Sequence, residues 1–204
     1  MKTTISALIL IFFLSSCSPK KADEQSQSNS SQVVAPRDND IRIIGEQTEA
    51  DTLKGSLKAR AMGTIGNTGI TINYYSPAVR GRMVWGGLVS FGNVWVTGAH
   101  RATNVDFDQE VIIGGVTLSP GKYALFTIPG QEEWTIIINK NWDQHLADNY
   151  NQKEDIVRVK VKPKTGEKHQ ERLRYVIETE SNNKGEIVVY WEKIEVSLPI
   201  EVLN

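Results

Sequence analysis

A single cysteine, Cys17, serves the whole 204-residue chain, which excludes an internal disulfide and any thiolate cluster for a metal. Charge of one sign is also lacking. Lys and Arg number 23 against 24 Asp and Glu, a formal net charge of -1, so nothing electrostatic favours nucleic acid or a strongly acidic partner. The strong catalytic signatures are missing: there is no G-x-S-x-G elbow, no H-E-x-x-H, no P-loop, no G-x-G-x-x-G and no C-x-x-C. The three histidines, His100, His145 and His169, are far apart in sequence, so a metal shared between them would depend entirely on the fold. No apolar run reaches the roughly 20 residues that cross a bilayer as a helix. Beyond the first segment, no stretch carries a 3.6-residue hydrophobic period.

What is present begins with an address. Lys2 followed by the ten-residue run Ile5 to Leu14 has the form of a signal peptide over residues 1–16. Leu14-Ser15-Ser16-Cys17 resembles the lipobox of bacterial lipoproteins. That resemblance implies cleavage before Cys17 and acylation of its sulfur, the alternative being a free thiol behind an ordinary signal. Two or three acyl chains anchor a protein stably where one does so only marginally, at about 0.8 kcal/mol per buried methylene. Residues 17–40 are rich in Ser, Gln, Asn and charge, too polar to offset their ordering entropy, and read as a tether reaching roughly 25 to 30 Å. Lys21-Ala22-Asp23-Glu24 resembles a surface-export signal, and Asp51-Thr52-Leu53 resembles a short O-glycosylation acceptor. The expected location is the bacterial cell envelope, as an outer-membrane lipoprotein compatible with surface exposure.

Residues 41–204 form one domain by length, with period-two alternation and turn residues every 8 to 12 positions. Ile70, Ile72 and Tyr74 face one way and Thr71, Asn73 and Tyr75 the other, after a hairpin connection at Gly66-Asn67-Thr68-Gly69. The unbroken apolar run in WTIIINK, residues 134–140, predicts a central strand covered on both faces. In IVRVKVK, residues 156–162, the valines point inward. The basic stripe is an anion site, a solvated face or a lysine-guarded edge strand. The inward set changes phase between Trp191 and Ile194, which predicts a β-bulge near Glu192 and Lys193. The expected class is all-β, a single antiparallel β-sandwich (jelly-roll or immunoglobulin-like) of about 8–10 strands.

Candidate chemistry is sparse. Asp143, His145 and Asp148 form the best metal-like local cluster, and Asp106 and Asp108 are a potential acid/base pair. Either group also serves an ordinary role, as turn caps or solvent-facing acids. The densest constellation spans residues 74–103. There Trp85 or Trp95 would stack on a sugar or another flat ligand, while Arg80, Arg82, His100 and Arg101 supply polar contacts. The competing reading has Trp85, Phe91 and Trp95 plugging one end of the sandwich, with the arginines bracing a long loop.

Ser76-Pro77, Gly81-Arg82, Gly86-Gly87-Leu88-Val89, Val94-Trp95, Thr97-Gly98-Ala99, Gly121-x-Tyr123-x-Leu125-Phe126, Trp134-x-Ile136 and DIVRVKVKP (155–163) together resemble the bacterial domain of unknown function 2911. The likeness runs over about residues 57 to 198. It implies exported or lipid-anchored β-rich envelope proteins and supplies no catalytic residues. The family commonly carries Asn at His100 and often Trp-Gly near His145-Leu146, which argues against either histidine as a shared catalytic group. The leading expectation is therefore a non-catalytic ligand-binding or accessory module with no catalytic residue, metal or cofactor. Its partners would be the membrane, through the lipid, and a glycan or envelope protein. A metal-dependent or acid/base hydrolase and a structural partner in an envelope complex are the alternatives.

Overall fold

The computed structural model describes residues 41–203; the expected signal peptide, Cys17 and the expected tether lie outside them. Among the described residues ten strands form two antiparallel sheets. The six-stranded sheet has the order β1 (Leu57–Ile65), β2 (Thr68–Ser76), β3 (Thr103–Phe107), β6 (Gly121–Ile128), β7 (Trp134–Asn139), β8 (Asp155–Val161). The four-stranded sheet has the order β5 (Val116–Leu118), β4 (Val111–Ile113), β10 (Lys184–Val202), β9 (Lys164–Ser181). The sheets are not closed into a barrel, so the expectation of an all-β sandwich with 8–10 strands holds.

Local chemistry explains the turns. Ile65 pairs with Thr68 across a two-residue loop that starts at Gly66 with φ 55°, the position a type II′ turn reserves for glycine. Between β4 and β5, Gly114 and Gly115 both have positive φ, as a type I′ connection demands. The bulge appears where the phase change placed it. Tyr190 pairs with Arg174, Glu192 with Gln170 and Ile194 with Thr165, so β9 contributes extra residues and Glu192 takes φ 57°.

The core lies between the sheets. Ile70, Ile72 and Tyr74 of β2 join Val105, Leu125 and Ile136 on one side, and meet Leu173, Tyr175, Ile187, Val189 and Trp191 from β9 and β10. Each fully buried aliphatic side chain contributes about 1.5–3 kcal/mol. Strand β7 is covered on both faces, as its unbroken apolar run predicts, but it lies one strand in from the edge rather than at the centre of the sheet, because β8 alone pairs beyond it. Its Ile136 and Ile138 enter the main core, while Ile137 joins Val96, Ala102, Ala124 and Phe126 in a smaller cluster on the opposite face. The segments flanking Val96 and Ala147 roof that cluster.

Edges are guarded rather than bare. Strand β8 borders the six-stranded sheet, and its outward Lys160 pairs with Glu133 at 2.7 Å, so the basic stripe marks an edge. At the other border, Arg42 bridges in parallel to Ala59 and covers part of β1.

The segment from Ile41 to Ser56 has almost no regular structure, yet one buried side chain ties it down. Arg172, 1% exposed, donates to the Asp51 carboxylate and to the carbonyls of Leu53, Gly55 and Ser76. Every face of the guanidinium finds an acceptor, which is the condition under which a buried cation is tolerated.

Candidate functional site

The six-stranded sheet has an outer face that is roofed over β6 and β7 and open over β1, β2 and β3. Strand alternation decides this: Ala124, Phe126 and Ile137 need cover, whereas Lys58, Arg60, Thr71, Asn73 and Asn104 do not. At the step between the two halves lies a cavity of about 210 Å³. Its floor is Lys58, Asn73, Tyr75 and Asn104, and its wall is Arg101, Trp142 and Asp143.

The floor is ordered by a cross-strand row. Asn73 pairs in register with Arg60 on one side and Asn104 on the other. Arg60 Nε donates to Asn73 Oδ1 at 2.8 Å, and Asn73 Nδ2 donates to Asn104 Oδ1 at 3.2 Å. The wall is pinned by backbone bonds between two loops: Ala102 N–H to the Gln144 carbonyl at 3.0 Å and Leu146 N–H to the His100 carbonyl at 3.0 Å. An ion pair joins Arg101 to Asp143 across the same loops. His100 sits edge-on to Tyr75 with ring centroids 5.1 Å apart, and Lys122 Nζ lies 4.5 Å from the Trp142 ring centroid. Aromatic faces, side-chain amides and cations thus converge on one small concavity, a composition suited to a polar ligand with at least one flat face.

The six residues singled out in the sequence fall in three places. Arg101 lines the cavity and His100 stands behind Tyr75. Arg80 and Arg82 line a different hollow with Gly55, Ser56 and Ala78, where their guanidinium groups donate to the carbonyls of Leu53, Val79 and Ala78. Trp85 and Trp95 pack against the core with Trp134 and Trp191. Trp95 stacks on Trp191 at 5.6 Å and 19°, and Trp85 meets Trp134 edge-on at 4.9 Å. Trp95 Nε1 donates to the Gly98 carbonyl at 3.1 Å, which ties the loop to this cluster.

The acidic candidates are engaged elsewhere. Asp108 Oδ1 accepts from the Gly69 N–H at 2.7 Å and so caps the first hairpin instead of pairing with Asp106. Asp143 bonds Arg101, and His145 Nδ1 lies 2.9 Å from Asp148 Oδ2 on the exposed loop. Among the described residues no group of three His, Cys, Asp or Glu is placed to hold a metal ion. Burial pushes the hydroxyls of Tyr74 and Tyr175 well up, so neither phenol is available as a base at neutral pH.

Asn104, Lys58 and Trp142 carry no site signal in the sequence. Asn73 and Tyr75 were visible as the outward half of an alternating strand, but their partner Asn104 lies about thirty residues on. Trp142 belongs to a loop in which Asp143, His145 and Asp148 give the stronger chemical signal.

No curated protein and no solved structure matches the chain. A family model described as "Protein of unknown function (DUF2911)" matches residues 56–200, from just before β1 to within two residues of the end of β10, in agreement with the motifs quoted above. The chain is a member of the DUF2911 family.

Proposed function

We propose that the protein is a lipid-anchored, non-catalytic binding module of the bacterial cell envelope that receives a saccharide in the cavity beside Asn73 and Asn104. One observation carries the reading: Tyr75, Trp142 and the ordered amides of Asn73 and Asn104 line the same concavity of about 210 Å³. Aromatic faces accept the apolar side of a sugar ring, and fixed amides supply directional hydrogen bonds to its hydroxyls. Pockets that receive drug-sized ligands measure about 300–1,000 Å³, so this smaller hollow suits one ring or the end of a chain rather than a long polymer. The anchor is Cys17, and the residues up to 40 supply the reach.

The chain has five tryptophans; four form the core cluster and the fifth, Trp142, is 38% exposed at the cavity. Intrinsic fluorescence therefore has a built-in control. Full-length protein in detergent, titrated against a panel of mono- and oligosaccharides, should show a saturable change for some members. That change should vanish in Trp142→Phe. A panel without any response in the wild type would refute the binding role.

A further inference from the structure

We infer that the saccharide is acidic, carrying a carboxylate that seats among Asn104, Lys58 and the neighbouring cations; this rests on the binding role above. The argument starts from what each group can do. A guanidinium only donates, so Arg60 Nε at 2.8 Å from Asn73 forces the amide oxygen of Asn73 towards β1. Its Nδ2 must then face β3, where it meets Asn104 Oδ1 at 3.2 Å. Asn104 is fixed in turn, and its Nδ2 is left with no partner among the described residues in a side chain that lines the cavity. A directional relay thus begins at a cation and ends in a spare donor, polarised along its length.

The charges nearby point the same way. Lys58, Arg60 and Lys122 have no carboxylate within ion-pair distance among the described residues. Of the acids on this face, Asp143 is committed to Arg101, and Asp106 lies opposite Thr71 and Lys122 further along β3. The cavity therefore offers a free amide donor and an unpaired ammonium, while its acceptors are the Tyr75 hydroxyl, two asparagine oxygens each already engaged once, and the paired Asp143. A neutral sugar, whose hydroxyls need acceptors as well as donors, is served less well than a uronate.

The probes are matched pairs: glucuronate against glucose, and galacturonate dimers against galactose dimers, followed by the Trp142 signal in full-length protein at low and high salt. The acidic members should bind at least tenfold more tightly, with the margin shrinking as salt rises. Asn104→Ala and Lys58→Gln should each cut that preference severalfold. Arg60 is a positioning residue. Arg60→Ala should weaken uronate binding more than neutral-sugar binding, so that the acid-over-neutral preference falls severalfold while the melting temperature stays put, and Arg60→Lys should restore part of it. Equal affinity for acidic and neutral partners would overturn this inference and leave the binding role standing. Displacement by inorganic sulfate at the same concentration as the uronate would overturn it too, because the ring would then contribute nothing. No response from either series sinks both.

Discussion

Arg172 and Asp51 stand 121 residues apart and form a bidentate pair, Nε to Oδ2 at 2.5 Å and Nη2 to Oδ1 at 2.7 Å. The arginine is sealed, while about a quarter of the Asp51 side chain meets solvent. Removing Arg172 takes a donor from Asp51, which keeps bonds from Gln47 Nε2 and the Leu53 N–H, and from three carbonyls, a loss that costs about 1–3 kcal/mol. Arg172→Met should sit in that range by urea denaturation and should loosen the segment from Ile41 to Ser56. Limited proteolysis would then cut before Leu57. A change below about 1 kcal/mol with unaltered proteolysis would show that the clasp is ornamental.

The same pair sets a pH dependence. Hydrogen bonds from Arg172, above all, hold the Asp51 carboxyl down at about 2, from 3.8. A carboxyl whose folded value lies below its unfolded one contributes stability above the unfolded value, and loses it as pH falls from about 4 towards 2. The contribution should be on the order of 1–2 kcal/mol once partial exposure is discounted. In Asp51→Asn that acid-dependent step should be missing from a plot of stability between pH 5 and 2.

Trp95 and Trp142 make a contrast between core and site. Trp95 stacks on Trp191 and holds the loop through its indole N–H, so Trp95→Ala should cost about 3 kcal/mol and abolish much of the near-ultraviolet circular dichroism. Trp142→Ala should change stability by less than about 0.5 kcal/mol. The reverse ranking would mean that the exposed indole is structural.

Two backbone positions test the turn chemistry. An added Cβ at Gly66 would lie 2.3 Å from the Asn182 carbonyl oxygen, in a residue already at φ 55°. Gly66→Ala should therefore cost more than about 1 kcal/mol, while Gly45→Ala, with nothing within 4 Å, should be near neutral. At the bulge, Glu192→Val should cost about 1–2 kcal/mol for the left-handed conformation, and Glu192→Gly should be tolerated.

The anchor is checked by chemistry on one sulfur. Cells fed labelled palmitate should mark the wild-type chain and leave Cys17→Ala unmarked, and mass spectrometry should find the mature N-terminus at a modified Cys17. An unmodified thiol there would remove the envelope role.

Sequence alone determined the strand faces, the hairpin at Gly66, the doubly covered β7 and the bulge at Glu192. Each is a local matter: side chains alternate across a pleat, and a phase slip or a glycine shows within a few residues. Family membership was legible too, because the Gly, Trp and Pro spacing of residues 76–163 is dense. Only the tertiary structure decided which face of each strand is roofed. It alone brought Asn73 beside Asn104, sent Trp85 and Trp95 against the core rather than to a ligand-facing wall, and hid Gln170, Glu171 and Arg172 beneath the segment before β1. Polar residues in a strand look solvated until a distant carboxylate or carbonyl arrives to satisfy them. Register between strands thirty to a hundred residues apart leaves no periodic trace in the chain.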